Sequence, residues 1–443
     1  MSVKLRLTIM NFLQFAVWGA YLTSMGNYLA SIGMGPKIWL FYAMQGIVSI
    51  FVPAIMGIIA DRWVPAQKLL GICHGLAALF LFAAGYYGMQ NGVDAQFSVL
   101  FTLYSLSVAF YMPTIALSNS TAYAILANNN YDTIKDFPPI RTMGTIGFIC
   151  AMLFVNFAGI VDGGLKFNFS NIKDFPSFQN SFEQFFVSAG LGIILFVYCF
   201  TLPEVSVSRS GEKKSLYDAL GLRAFSLFKE RKMAIFFIFS MFLGVSLQIT
   251  NGYANPFITS YKNIPEFADT WGANNANALI SLSQFSETLC ILLIPFFLKR
   301  FGIKIVMLLS MIAWVLRFGL FGFGDPGEGV WMFVLSMIVY GVAFDFFNVS
   351  GSLFVDKETN PDMRSSAQGV FMMMTNGFGA TLGLFAAGAV VNHFVYSETD
   401  PMLQIKGWEI SWHIFAAYSL VVTILFAIVF KYKHKPEEIK SIY

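Results

Sequence analysis

Apolar runs of about 20 residues or more, long enough to cross a bilayer as helices, recur along the whole chain, broken by Gly, Pro and charge clusters. They fall near 6–31, 38–60, 69–89, 97–126, 139–161 and 183–202, then near 233–258, 274–298, 304–323, 330–354, 367–394 and 409–431. Hydrocarbon offers no partner to backbone N–H and C=O groups, so each run must be a helix or part of a closed barrel. A tilted barrel strand needs only about 10 residues, and these runs are far longer. The pattern predicts an all-α integral membrane protein with 12 transmembrane helices. The first run is too long for the apolar core of a signal peptide and lacks a small-residue cleavage site, so it is expected to remain as the first span.

The longest charged segment, 203–232, holds Arg209, Lys213, Lys214, Arg223, Lys229, Arg231 and Lys232 and separates six runs from six. The expected organisation is an N-terminal six-helix bundle (1–202), a cytoplasmic linker (203–232) and a C-terminal six-helix bundle (233–443). An even number of spans puts both termini on one side. That side receives 22 Lys and Arg residues, from Lys4 and Arg6 to Lys440, while the other receives Lys37, Lys166, Lys173, Lys262 and Lys406. The positive-inside rule then makes both termini cytoplasmic. Asp61-Arg62-Trp63 after the second run matches the place of Lys299-Arg300-Phe301 after the eighth, and Arg141 and Arg364 open the fifth and eleventh. Such echoes fit two pseudo-symmetric halves, a site near the midplane between them, and alternating access by rocking.

Composition narrows the function. Of 443 residues, 56% are hydrophobic and 12% charged, which excludes a soluble domain, and a net charge of +3 points away from nucleic acid. Cys73, Cys150, Cys199 and Cys290 all fall inside apolar runs without CxxC spacing, so they read as small buried hydrophobes. No metal-ligand spacing, catalytic triad or nucleotide-binding signature occurs. The chain is therefore expected to be no enzyme, with no catalytic residues, no metal and no cofactor.

Against that apolar background the polar residues inside the runs stand out. A charged side chain at mid-membrane costs roughly 2.5–3.5 kcal/mol on insertion scales, so Glu287 and Asp345 mark a functional site. Gln248 and Asn251 are three apart and share a helix face, as do Ser281, Gln284 and Glu287. Tyr340, Phe344 and Asn348 follow at four-residue spacing, with Asp345 about 100° round the helix from Phe344 and so turned toward a neighbouring helix. The first half offers Gln14, Trp18, Tyr21, Gln45, Ser49, Asn119, Thr121, Arg141, Thr145 and Phe148. Amides carry both donor and acceptor and aromatic faces stack on planar rings, a set suited to a neutral ligand with amide edges and hydroxyls. Single Gln, Asn, Ser and Thr residues equally serve as glue between helices. Arg141, three residues past Pro138-Pro139, is left undecided between cavity and interface, and Arg317 is expected to snorkel from the outer end of its span.

Several segments together carry a resemblance. Gly57-Ile-Ile-Ala-Asp61-Arg62 resembles the loop signature of the major facilitator superfamily, although Trp63 to Gln67 departs from its usual Gly and basic run. FLQFAVWGAYLTSMGNY (Phe12 to Tyr28), DFPPIRTMGTIGF (Asp136 to Phe148), MAIFFIFSMFLG with LQITN (Met233 to Asn251), SQFSETL (Ser283 to Leu289), AFDFFNVSGSLFV (Ala343 to Val355) and SSAQGVFMMMTNGFG (Ser365 to Gly379) extend it. The set is similar to the bacterial nucleoside:proton symporter family of nucleoside permease G type. That resemblance implies a major facilitator fold and import, with protons, of a nucleoside such as uridine, cytidine or adenosine across the bacterial inner membrane. It further implies that Arg141, Thr145, Phe148, Gln248, Asn251, Gln284, Glu287, Tyr340 and Phe344 bind the substrate, turning Arg141 toward the cavity. Asp345 is the first candidate for proton coupling and Glu287 the second, and the expected working unit is a monomer in the lipid bilayer. A sugar or polyol:proton symporter of the same fold is the alternative.

Overall fold

The computed structural model describes residues 2–170, 175–205, 222–360 and 363–433. The linker cations Arg209, Lys213 and Lys214 lie outside the described residues, as do Lys173 and the side chains of Asp61, Arg62, Arg223 and Arg364. The chain is mostly helical, and nine helices among the described residues are long and apolar enough to cross a membrane. It divides into two compact units, Met1–Ala219 and Leu220–Tyr443.

In unit 1, α1 (Val3–Gly19) and α2 (Met25–Ser31) share the first apolar run, which breaks at Ala20–Ser24. Then follow α3 (Ile38–Arg62), α4 (Ala66–Asn91), α5 (Phe97–Asn128), α6 (Thr133–Phe157) and α7 (Glu183–Cys199). The fifth run was expected over 139–161, but α6 begins earlier and stops at Phe157. Residues Ala158–Val161 and Gly164–Phe167 instead form an antiparallel hairpin, β1 and β2. Asp162 and Gly163 both have positive φ, 54° and 75°, the geometry of a two-residue turn whose twist suits a hairpin.

Unit 2 opens with α8 (Arg231–Leu247) and α9 (Ile249–Ser260), which meet at Gln248. Next comes α10 (Ala276–Phe323), 48 residues long because two helices join directly at Gly302. There φ is 79°, a left-handed backbone that glycine alone adopts without strain, and it separates the eighth and ninth expected spans. After α11 (Val330–Glu358), α12 (Arg364–Met372) runs into a π-helical segment, Met373–Gly379, and then α13 (Ala380–Phe394). The last helix, α14 (Pro401–Val429), starts eight residues before the apolar run near 409, because Asp400 caps it: its carboxylate accepts from the Met402 and Leu403 amides, with Pro401 at the first turn.

Helices approach most closely where glycine removes the side chain. A Cβ on Gly147 would lie 2.1 Å from the Phe12 carbonyl oxygen, and one on Gly19 would lie 2.4 Å from the Phe148 carbonyl oxygen, so α1 and α6 touch backbone to backbone. Unit 2 repeats the device: a Cβ added to Gly244 would overlap the Thr375 carbonyl oxygen, and one added to Gly383 that of Val245. Small residues allow such crossings in lipid, where van der Waals packing replaces the hydrophobic effect. Ionic ties close the same ends: Lys4 pairs with Asp136 at 2.7 Å in unit 1, and Lys232 with Glu358 at 2.7 Å in unit 2. Large apolar side chains such as Leu289, Leu292 and Phe296 remain on the surface, as a lipid-facing exterior requires. Of the four cysteines, Cys73, Cys199 and Cys290 are buried as expected, whereas Cys150 is exposed on α6.

Gly147→Ala is expected to destabilise the protein by about 1–3 kcal/mol through overpacking. Gly190→Ala, where a Cβ meets nothing within 4 Å, is expected to change stability by about 1 kcal/mol or less. Thermal unfolding in detergent separates the two.

Candidate functional site

In unit 1 the α1–α6 crossing assembles an aromatic and cationic cluster. Arg141, Thr145 and Phe148 lie at four- and three-residue spacing on one face of α6. Because Gly19 and Gly147 let the backbones meet, Phe148 reaches the Trp18 ring edge-on at 6.2 Å, and Trp18 lies 6.0 Å from Tyr111 of α5. The Arg141 guanidinium sits 3.9 Å from the centre of the Phe15 ring, which Gly144 leaves room for. The Thr145 hydroxyl and the buried Trp18 Nε1–H have no hydrogen-bond partner among the described residues.

Beneath this cluster lies a polar network that links helices. Gln14 Oε1 is 2.6 Å from His74 Nε2, Gln14 Nε2 donates to Thr114 Oγ1 at 2.7 Å, and the Tyr111 hydroxyl donates to the Gln14 carbonyl at 2.8 Å. The carbonyl oxygen only accepts, so His74 carries its proton on Nε2. Gln45 donates to the Tyr104 hydroxyl at 2.8 Å, and Ser49 donates to the Gln45 carbonyl. These residues are helix glue, the second of the two readings left open for them. Asn119 Oδ1 and Thr121 Oγ1 are buried without a partner among the described residues.

In unit 2 the helix junction puts Gln248 at a break between α8 and α9, where Asn251 Nδ2 donates to its Oε1 at 2.9 Å. Broken helices are a common means of exposing polar groups at mid-membrane. On α11, Tyr340 and Phe344 stack at 5.7 Å with planes 15° apart, while Trp314 of α10 meets Tyr340 edge-on at 6.0 Å. The charges of Glu287, Arg317 and Asp345 all act on Tyr340, and Asp345, 5% exposed, also acts on Cys290 of α10. Asp345 is thus buried inside unit 2. The Gln284 amide and the Tyr340 hydroxyl have no hydrogen-bond partner among the described residues.

The family profile described as "Nucleoside H+ symporter" matches residues 1–435. The chain belongs to the nucleoside H+ symporter family. Among relatives of this family, the nucleoside permease NupG of Escherichia coli strain K12 is 45% identical over 437 residues, 98% of this chain and 97% of its own. The xanthosine permease of the same organism is 43% identical over 443 residues, 99% of each chain. The crystal structure of an aspartate-to-alanine variant of the nucleoside transporter NupG superposes with a TM-score of 0.87 at 43% identity, covering 97% of this chain and 100% of that one.

Within this symporter-family scaffold, the residues expected to bind ligand fall into separate local groups. Arg141, Thr145 and Phe148 stand together in unit 1. In unit 2, Gln248 pairs with Asn251, Tyr340 stacks on Phe344, and Glu287 lies within electrostatic reach of Tyr340. Gln284 and Glu287 are partly exposed on α10, whereas Ser281 is buried and turned back onto the Ala278 carbonyl, so that stripe is shorter than its spacing suggests. Asn348 spends its amide on the Phe344 carbonyl one turn back. Arg317 is the clearest correction: it does not snorkel but is 2% exposed, inside unit 2. Its helix continues to Phe323, and Trp314 and Phe321 on the same face draw it inward rather than to an interface.

Gln45→Leu leaves the buried Tyr104 hydroxyl without its donor and is expected to lower stability by about 0.6–2 kcal/mol. Half-saturation of uptake should stay within about twofold of wild type, because Gln45 serves packing.

Proposed function

We propose that this symporter-family chain imports nucleosides together with protons across the bacterial inner membrane. The observation that carries the reading is a set of uncommitted polar groups inside spanning helices: the Thr145 hydroxyl, the Gln284 amide and the Tyr340 hydroxyl, each without a protein partner among the described residues. An unpaired polar group away from water costs on the order of 1–3 kcal/mol, so these groups are held for water and ligand. Aromatic faces beside amides are the chemistry that recognises a planar base carrying a hydroxylated sugar.

In this reading Tyr340 and Phe344, with Phe148, offer faces for the base, and Gln248, Asn251 and Gln284 read its amide edge. Arg141 and Glu287 hold ribose hydroxyls. Asp345 carries the coupling proton, with Glu287 as the second candidate, since a carboxylate shut away from water gains affinity for a proton as the substrate site closes. Twelve spans are the count we favour: the nine long helices, with Ala276–Phe323 taken as two at Gly302, plus Val3–Gly19 and Glu183–Cys199. The distribution of Lys and Arg supports cytoplasmic termini, and alternating access is the transport cycle we favour.

Uptake of labelled uridine into proteoliposomes under an imposed pH gradient tests the reading. Unlabelled nucleosides should compete, while ribose and glucose should not; the opposite order would establish the sugar symporter instead. Gln284→Ala is expected to raise the KM for uridine about tenfold, the loss of roughly 1.4 kcal/mol of hydrogen bonding. Asp345→Asn is expected to abolish gradient-driven accumulation, and accumulation at the wild-type level would remove Asp345 from the coupling role.

A further inference from the structure

Arg317 is a charged residue in unit 2 that the reading above leaves without a task. It is 2% exposed, and among the described residues no carboxylate lies within ion-pair distance of it. A guanidinium stays charged in a protein, so burying it without a counter-ion demands compensation from neutral groups. The compensation comes from α10 itself and from one stretch of α11. Nη1 donates to the Ser336 carbonyl at 2.8 Å and to Ser283 Oγ at 3.3 Å, and the Ser336 hydroxyl donates back to the Arg317 carbonyl at 2.9 Å. The guanidinium carbon lies 4.5 Å from the centre of the Tyr340 ring and 5.3 Å from that of Phe321. Ser336 and Tyr340 are one helical turn apart, so one planar cation grips both the backbone and the ring of the segment that presents Tyr340.

We propose that Arg317 is a positioning residue for substrate: it fixes the Tyr340 ring in its stack with Phe344 and influences binding only through that ring. The inference rests on the reading of Tyr340 as a substrate-facing group. A cation over an aromatic face is favoured electrostatically, and its planar fork ties that face to a defined point on the backbone. Lysine lacks the fork and the plane. It keeps the buried charge but does not hold the ring and the Ser336 carbonyl together.

The test is a double-mutant cycle on the full chain in proteoliposomes, reading KM and Vmax for uridine separately. Arg317→Lys and Arg317→Gln are each expected to raise KM five- to tenfold with Vmax within twofold. In the Tyr340→Leu background the same substitutions should shift KM less than twofold, because the ring they act through is gone. If Arg317→Gln does not reach the membrane, Arg317→Lys, which preserves the charge, carries the cycle alone. An Arg317→Lys effect of equal size in both backgrounds, or a KM unchanged by Arg317→Lys, overturns the proposal while leaving Tyr340 in the site. Tyr340→Leu with wild-type KM overturns the substrate role of Tyr340, and the Arg317 inference with it.

Discussion

Hydrocarbon forms no hydrogen bonds, and that constraint decides both the architecture and the location of the chemistry. Backbone groups are satisfied by drawing the chain into long helices, and polar side chains by pairing them with one another or reserving them for a ligand. Gln14, His74, Thr114 and Tyr111 largely satisfy it by bonding one another across three helices, with only His74 Nδ1 left over among them. Gln284, Thr145 and Tyr340 find no hydrogen-bond partner among the described residues, and in the function proposed above they are held for water and ligand.

Each unit handles the constraint in a parallel way. Its first helix runs 17 residues and then breaks, at Ala20–Ser24 in unit 1 and at Gln248 in unit 2. In each, glycines bring that helix against a later one at backbone contact, and a lysine at its start pairs with a carboxylate on another helix. The side chains placed beside the break differ: an aromatic and cationic cluster around Trp18 and Phe148, an amide pair at Gln248 and Asn251. In unit 2 the glycine contact falls on the π-helical segment Met373–Gly379, a local widening that recurs at functional positions.

The spans were legible because their signal is long and redundant: some 20 apolar residues outweigh any one exception. Breaks and caps are set by one or two residues and were less so. Asp400-Pro401 announces the start of the last helix, and Asp162-Gly163 the hairpin turn, yet both sit among charged or short apolar residues that the hydropathy pattern does not weigh. Spacing put Tyr340 and Phe344 on one face, where their rings stack, since residues four apart share a face in any helix. It could not show which polar groups a neighbouring helix would satisfy. Gln14 and Gln284 look alike in sequence, and only tertiary packing separates them. Arg317 failed for the same reason: a position near the end of a span suggests an interface, while the rings of Phe321 one turn on and of Tyr340 on the facing α11 make the interior its place.

One surface detail bears on how the thiols of the molecule meet their surroundings. Of its four thiols three are enclosed, and Cys150 alone lies on the outside of α6, two residues beyond Phe148. That sulfur lies within a membrane-spanning helix, so it is lipid rather than water that meets it, and reagents that attack thiolates from water find no cysteine of the natural chain within easy reach.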